Sequence, residues 1–321
     1  MRILVLGAAA GGGFPQWNCN CSNCRRAWAG EAAATPQTQS SVAVSASDGR
    51  WFLLNASPDL RQQIIHNPQL HPRGGQRDSP IAGAVLTNAD VDHVTGLLVM
   101  RESQPLVLYA SERVQKVLSG NNIFNVLNPA FVHRRVLEIG RPEPLAAPDG
   151  GDSGIEVEAF AVPGKVALYL EDPEYLEHPE YLEDPEASSD FGTRVGDTVG
   201  LRLTDTGSGR AFYYIPGCAA MTPELADRLR GARLVLFDGT MWQDDEMIAA
   251  GLGVKTGQRM GHMSISGPDG TLRAFADLGV ERKVFIHVNN SNPILLAGSP
   301  ERAEVEAAGW EVARDGLELV L

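Results

Sequence analysis

Three cysteines near the amino terminus have the spacing of a metal-binding loop. Cys19, Cys21 and Cys24 form the pattern CxCxxC, which places three thiolates close enough to surround one tetrahedral ion. Zinc with sulfur ligands forms closed structural sites of this kind, typically with four protein ligands. The fourth ligand must come from elsewhere in the fold, and a late His or Asn is a reasonable donor. The competing interpretation is three unligated thiols in a surface loop, which would invite oxidation.

A glycine-rich segment, LGAAAGGGFPQW, precedes these cysteines and superficially resembles a dinucleotide-binding loop. The GxGxxG fingerprint requires a glycine two positions after the first, and Ala9 stands there instead. Pro15 and the cysteine loop follow where a phosphate-facing helix should begin. We therefore expect no nucleotide cofactor, and we interpret the glycines as permitting a close turn beside the metal sites.

The pattern of apolar runs predicts the elements that must position these residues. Predicted strands are Arg2–Leu6, Val42–Val44, Trp51–Leu54, Ile81–Thr87, Leu106–Tyr109, Ile155–Val162, Gly200–Leu203, Ala211–Ile215, Leu234–Asp238, Lys283–Val288 and Gly316–Leu321. Predicted helices are Leu60–His66, Val94–Met100, Ser111–Leu118, Thr222–Arg230 and Pro268–Leu278. Strands outnumber helices while alternating with them, which favours an α/β fold with two sheets covered by outer helices, an αββα sandwich. Such a sandwich can form a homodimer.

We expect a single domain over residues 1–321, with a zinc loop at 17–28 and an acidic insertion at 167–192. The insertion contains the tandem hexamers YLEDPE, YLEHPE and YLEDPE from Tyr169 to Glu186. Each copy carries a proline that would interrupt a helix, and three copies are too few for a solenoid. The acidic bias favours a solvated loop or hairpin. A lid facing the substrate is the alternative, because long loops in compact domains are often functional.

Composition limits the partners and the compartment. The formal net charge of −13 and the pI near 5.0 disfavour binding to nucleic acid or to an anionic membrane, so a small or peptide-like substrate fits better. Cys218 lies far from the other three cysteines, so no disulfide framework is expected and a reducing compartment is indicated. The sequence also shows no signal peptide and no apolar stretch of about 20 residues. We expect a soluble cytoplasmic protein.

The segment LTNADVDHVTG follows a predicted buried strand and resembles the metallo-β-lactamase signature THxHxDH. Thr87, Asp92 and His93 match the signature, while Asn88 and Asp90 stand where its first two histidines would be. Other segments extend the resemblance. Asp238 is the counterpart of the bridging aspartate. His262 belongs to a counterpart of the HxS-type element of the ribonuclease Z branch, and His287 lies on the counterpart of the last ligand strand.

Taken singly, these residues have simpler interpretations. An Asp–His pair after a strand is often a helix N-cap, a strand-end aspartate is usually a turn residue, and a lone histidine such as His287 is usually a satisfied core residue. Their order along alternating strands and helices favours the functional interpretation.

The resemblance implies one complete metal site, with Asp92, His93, His287 and Asp238 as ligands. The other site of a dinuclear member would use the two missing histidines and a mid-chain histidine, where this chain has Lys165. Two histidines with carboxylate and free positions are the ligand set of non-haem Fe(II) sites that activate oxygen, whereas hydrolytic zinc sites favour more imidazole. We expect Fe2+ at this position, and zinc can replace it on purification.

Segments along nearly the whole chain, among them SPDLRQQI, VPGKV, IPGC, GHMSISG and HVNNSNPIL, are similar to the pyrroloquinoline quinone biosynthesis B family. This resemblance implies an iron-dependent hydroxylase that uses molecular oxygen on the tyrosine ring of a peptide-derived Glu-Tyr intermediate. A zinc hydrolase of an ester or phosphodiester, and a non-catalytic carrier of the quinone, stay as alternatives. The acidic hexamers depart from the family pattern.

The resemblance also suggests individual roles. His262 is expected to carry a proton or steady a bound oxygen species. Lys165 is expected to bind a substrate carboxylate or stabilise an anionic intermediate, with a simple salt bridge as the alternative. Asp90 is a candidate further oxygen ligand. Asn290 is the candidate fourth zinc ligand, because relatives in the phosphodiesterase branch have a histidine three residues after the last active-site histidine.

Overall fold

The computed structural model describes residues 1–46, 49–171 and 194–321. These residues form two seven-stranded sheets. In the first sheet the strands are β1 (Arg2–Gly7), β2 (Ser41–Ser45), β3 (Trp51–Leu54), β4 (Ile81–Val85), β5 (Leu106–Ala110), β6 (Val132–Val136) and β14 (Glu318–Val320). In the second they are β7 (Glu143–Ala146), β8 (Asp152–Ala161), β9 (Val199–Asp205), β10 (Ala211–Ile215), β11 (Leu234–Asp238), β12 (Arg282–Ile286) and β13 (Trp310–Val312).

In each sheet, the strands that precede the candidate residues run parallel to one another. The first sheet runs β14-β1-β2-β3-β4-β5-β6 and the second runs β13-β12-β11-β10-β9-β8-β7. Strands β3 to β6 are mutually parallel, as are β10 to β13. Parallel neighbours end at the same edge, so the loops after β4, β10, β11 and β12 can supply one site.

Helices flank both sheets. They are α1 (Ser22–Trp28), α2 (Leu60–His66), α3 (Val91–Val94), α4 (Glu112–Gly120), α5 (Pro223–Leu229), α6 (Glu246–Ala249), α7 (Thr271–Ala274) and α8 (Pro300–Ala307). Short 3₁₀ turns cover Pro68–Leu70, Thr95–Met100, Asn122–Val126, Leu168–Leu170, Gln258–Met260 and Pro293–Leu295. Side-chain caps start several helices: Ser111, Thr222 and Ser299 each accept a hydrogen bond from the backbone three residues on.

Three apolar clusters define the layers. One joins the two sheets and includes Phe52 and Tyr109 from the first with Phe212 and Tyr214 from the second. A second lies between the first sheet and its helices, and a third lies between the second sheet and its helices, where the ring of Trp310 stacks on a strand phenylalanine. The predicted αββα sandwich is confirmed. No helix in the described parts of the chain has the length and apolar character needed to span a bilayer.

Several predicted element bounds differ from the structure, and the helix expected over Val94–Met100 is a 3₁₀ turn over Thr95–Met100 that follows α3. The helix expected over Pro268–Leu278 reduces to α7, because Gly270 has an extended backbone (φ −79°, ψ 163°) and the helix begins only after it. The strand expected over Lys283–Val288 ends at Ile286, because His287 has φ of 55°. Helices α1 and α8 were not predicted, because both are short and polar on most faces.

The predicted acidic insertion at 167–192 and its hexamers lie largely outside the described residues. The single-domain organisation over 1–321 stays a prediction.

Candidate metal centre

The loop after β4 carries the first two candidate ligands. His93 lies in α3 and is only 2% exposed. Its Nδ1 lies 2.7 Å from the side-chain oxygen of Asn88. A carboxamide oxygen only accepts, so Nδ1 of His93 donates and its Nε2 keeps a lone pair. No described residue makes a hydrogen bond to that buried Nε2. Burial lowers the pKa of His93 to about 4, although Asp92 opposes the shift.

The third candidate ligand follows β12. His287 adopts φ of 55°, a conformation that costs energy for a residue with a side chain and is found most often at functional sites. Its Nδ1 lies 2.8 Å from Oγ1 of Thr240, which also lies 2.6 Å from Oδ1 of Asp238. The hydroxyl has one proton, and the charged carboxylate is the nearest acceptor. Thr240 therefore accepts from Nδ1 of His287, which leaves Nε2 with a lone pair.

These tautomers aim three proton-free donor atoms at one point. Nε2 of His287 lies 3.1 Å from Oδ2 of Asp92, and Nε2 of His93 lies 3.9 Å from the same oxygen. The three donor atoms lie within 4.8 Å of one another. Burial alone would raise the pKa of Asp92, but His93 and His287 hold it well below its usual range. Burial alone would lower the pKa of His287, but the hydrogen bond and the charge of Asp92 raise it above its usual value. A positive charge among these buried donor atoms stabilises them, whether it is a proton on His287 or a metal ion, so the donor set fits a metal ion.

Asp238 lies beside this set and is fully buried. Its Oδ2 accepts from the backbone of Cys218 at 2.9 Å and from Nδ1 of His262 at 2.7 Å, and its Oδ1 accepts twice from Thr240. Burial would raise the pKa of Asp238, but the charge and hydrogen bond of His262 lower it. The possible metal ligands grouped with Asp238 are His262 and His287, whereas Asp92 and His93 belong to the other group, which shares His287. The structure thus places Asp238 where it orients two imidazoles.

His262 completes a His–Asp pair at the edge of the centre. The carboxylate of Asp238 fixes its Nδ1 as the protonated nitrogen, so Nε2 can accept a proton. Its ring stacks on His287 with centroids 5.1 Å apart.

Lys165 and Asp90 lie together at the mouth of the centre. Nζ of Lys165 is 3.9 Å from Oδ1 of Asp90, whose Oδ2 accepts from the amide of Asn88. The stem of Lys165 lies against Gly261, the residue before His262. Direct contacts therefore link the seven predicted active-site residues into one continuous group.

The cysteine cluster forms a second donor group. The sulfurs of Cys19, Cys21 and Cys24 lie within 4.8 Å of one another. Nδ2 of Asn290 lies 3.1 Å from the sulfur of Cys19 and 3.3 Å from that of Cys24. Turning the amide by 180° would present its oxygen to the same point. Asn23 in α1 donates to three carbonyls of residues 290–292, which holds the two segments together.

Sequence reasoning missed the residues that orient the ligands. Asn88 was interpreted only as a lost ligand, and Thr240 was not singled out. Gly11 was also missed: a Cβ there would lie 3.3 Å from a carboxylate oxygen of Asp92. The spacing of Thr240, two residues after Asp238 at a strand end, is a signal that was available.

Known proteins resemble this chain over its full length. A sequence model described as the beta-lactamase superfamily domain matches residues 50–288. A coenzyme PQQ synthesis protein B from Rhodopseudomonas palustris (strain ATCC BAA-98 / CGA009) is 52% identical, with 100% of each chain covered. A protein of the same description from Gluconacetobacter diazotrophicus is 55% identical over 99% of this chain and 98% of its own length. A crystal structure of Zn2+-bound PqqB from Methylobacterium extorquens has a TM-score of 0.90 and 48% identity, with 100% of both chains covered.

Proposed function

The chain belongs to the coenzyme PQQ synthesis protein B family of the β-lactamase superfamily, and we propose that it hydroxylates an intermediate of pyrroloquinoline quinone synthesis. Its role in making coenzyme PQQ follows from that membership. The proposed reaction uses Fe2+ and molecular oxygen on the tyrosine ring of a peptide-derived Glu-Tyr intermediate. One oxygen atom enters the ring, the other leaves as water, and an external two-electron reductant supplies the electrons.

One observation carries the proposal: Asp92, His93 and His287 converge through oriented lone pairs on a single cation position. The partner site of a dinuclear hydrolase would need the places of Asn88, Asp90 and Lys165. In this chain Asn88 is committed to orienting His93, and Lys165 brings a positive charge. Both features oppose a second cation. A single Fe2+ with open positions supplies oxygen binding and reduction.

The surrounding residues have distinct proposed roles. Thr240 and Asp238 hold the imidazoles in their metal-binding tautomers, as second partners of metal-bound histidines generally do. Nε2 of His262 accepts the ring proton lost on hydroxylation and returns it to solvent. Lys165 binds a carboxylate of the acidic substrate, and Asp90 positions Lys165 or serves as an additional oxygen ligand.

We propose that the cysteine site holds zinc. Its three thiolates suit a soft closed site, and the zinc-bound relative is consistent with zinc in this family. Asn290 is proposed as the fourth ligand through its amide oxygen.

An oxygen-uptake assay after anaerobic loading with Fe2+ tests the reaction. With ascorbate as reductant and a cross-linked Glu-Tyr substrate, we expect oxygen consumption and a mass gain of one oxygen atom from labelled O2. Hydrolysis without oxygen would favour the zinc hydrolase, and binding of the quinone with neither activity would favour a carrier. His287→Ala should abolish uptake while the cysteine zinc is retained. The exposed His133 provides the control variant His133→Ala, which should react normally.

A further inference from the structure

A buried carboxylate beside the metal centre is surrounded by cations. Glu171 is 5% exposed, and its Oε2 accepts from Lys255 and from Arg259, each at 3.0 Å. Its Oε1 lies 3.5 Å from Nζ of Lys165. Three positive charges therefore converge on one carboxylate in a largely desolvated position.

This cationic group adjoins the reacting region through the chain itself. Lys165 also contacts Asp90, two residues before Asp92. Arg259 lies in the 3₁₀ turn Gln258–Met260, three residues before His262. A ligand carboxylate bound by these cations would thus place the rest of the ligand next to the metal position and to His262.

The segment that supplies Glu171 is weakly packed. Leu168, Tyr169 and Leu170 are 56%, 44% and 41% exposed, so little apolar burial holds them. The segment is anchored by the ion pairs of Glu171 and by the hydroxyl of Tyr169, which donates to the backbone oxygen of Ala89 at 2.7 Å. Polar anchors of this kind can be exchanged for equivalent groups of a ligand at small net cost.

We propose that Lys165, Lys255 and Arg259 form a carboxylate-binding subsite, and that Glu171 is its built-in occupant, which the carboxylate of an acidic substrate displaces. The subsite recognises a carboxylate together with a neighbouring phenol, because Glu171 and Tyr169 present that pair. For the identity of the substrate, this inference rests on the proposed function.

Binding of the dipeptide L-glutamyl-L-tyrosine to the zinc-loaded protein tests the subsite without turnover. Calorimetry should show that Glu171→Gln binds the dipeptide about tenfold more tightly than the unmodified protein, because the internal competitor loses its charge. Arg259→Gln and Lys255→Gln should each weaken binding about tenfold or more. L-Glutaminyl-L-tyrosinamide, which lacks both carboxylates of the dipeptide, should bind weakly to every variant.

Matched controls come from a partly buried ion pair outside this group, Arg228 with Glu158 at 2.8 Å. Glu158→Gln and Arg228→Gln should leave dipeptide affinity unchanged. Equal affinity in the unmodified protein, Glu171→Gln and Lys255→Gln would overturn the subsite, as would a Glu171→Gln variant that only loses thermal stability. The readout is independent of oxygen chemistry: the expected binding pattern without oxygen uptake would refute the hydroxylase alone, and uptake with uniform binding would refute the subsite alone.

Discussion

Replacing Thr240 by valine should weaken the active-site metal without disturbing the fold. The two side chains have nearly the same shape, so the buried position gains no cavity. The change removes the acceptor for Nδ1 of His287 at 2.8 Å and one donor to Asp238 at 2.6 Å. Asp238 keeps the backbone donors of Cys218 and of residue 240. The net defect is one orphaned imidazole N–H.

The magnitude follows from that defect. Leaving a buried donor without a partner costs about 1–3 kcal/mol, and removing a second partner of a metal-bound histidine typically costs about 10–100-fold in metal affinity. We therefore expect the affinity of the Asp92–His93–His287 site for zinc to fall within that range, with unfolding free energy lowered by about 1–3 kcal/mol.

A chelator titration measures both metal sites in one experiment. The cysteine site acts as the internal reference, so only one of two zinc-release steps should shift in Thr240→Val. Thr240→Ser keeps the hydroxyl and should behave as the unmodified protein. If Thr240→Val retains active-site zinc within twofold of the unmodified protein, the tautomer argument is wrong.

Three further predictions concern the same centres. Asn88→Ala should lower active-site zinc affinity about tenfold in the same titration. Asn88→Asp keeps an acceptor for His93 and should still bind zinc at this site, so equal loss of affinity in both variants would contradict the orienting role. The pKa of His93 is lowered to about 4 and that of His287 is raised, so only His287 binds a competing proton near neutrality. Zinc affinity should then rise about tenfold per pH unit from about pH 5 up to the pKa of His287 and level off above it; a hundredfold rise per unit would refute this. Cys24→Ala should lose one zinc per chain and keep the active-site ion, as measured by metal analysis, and calorimetry should show a Tm lower by about 5–15 °C. Undiminished zinc content would exclude the cysteine site.

The sequence alone indicated much of the fold and the candidate ligands. Strands such as Trp51–Leu54 and Leu234–Asp238 were predicted with their observed bounds, because short apolar runs bounded by turn residues have few alternatives. Asp92, His93 and His287 were identified from a motif and from their order along the chain. Cys19, Cys21 and Cys24 needed only their spacing, because a local turn can bring ligands within six residues together without contacts between distant segments.

Tertiary structure decided everything that depends on contacts between distant segments. The hydrogen bond from His93 to Asn88 makes a residue that had looked like a lost ligand into an orienting one. Asp238 accepts hydrogen bonds from His262 and Thr240, and its place among the metal ligands stays a prediction. Glu171 meets Lys255 and Arg259 across more than eighty residues of chain. Periodicity and spacing report local geometry, whereas tautomers, carboxylate partners and ion pairs depend on which loops meet at the edges of the two sheets.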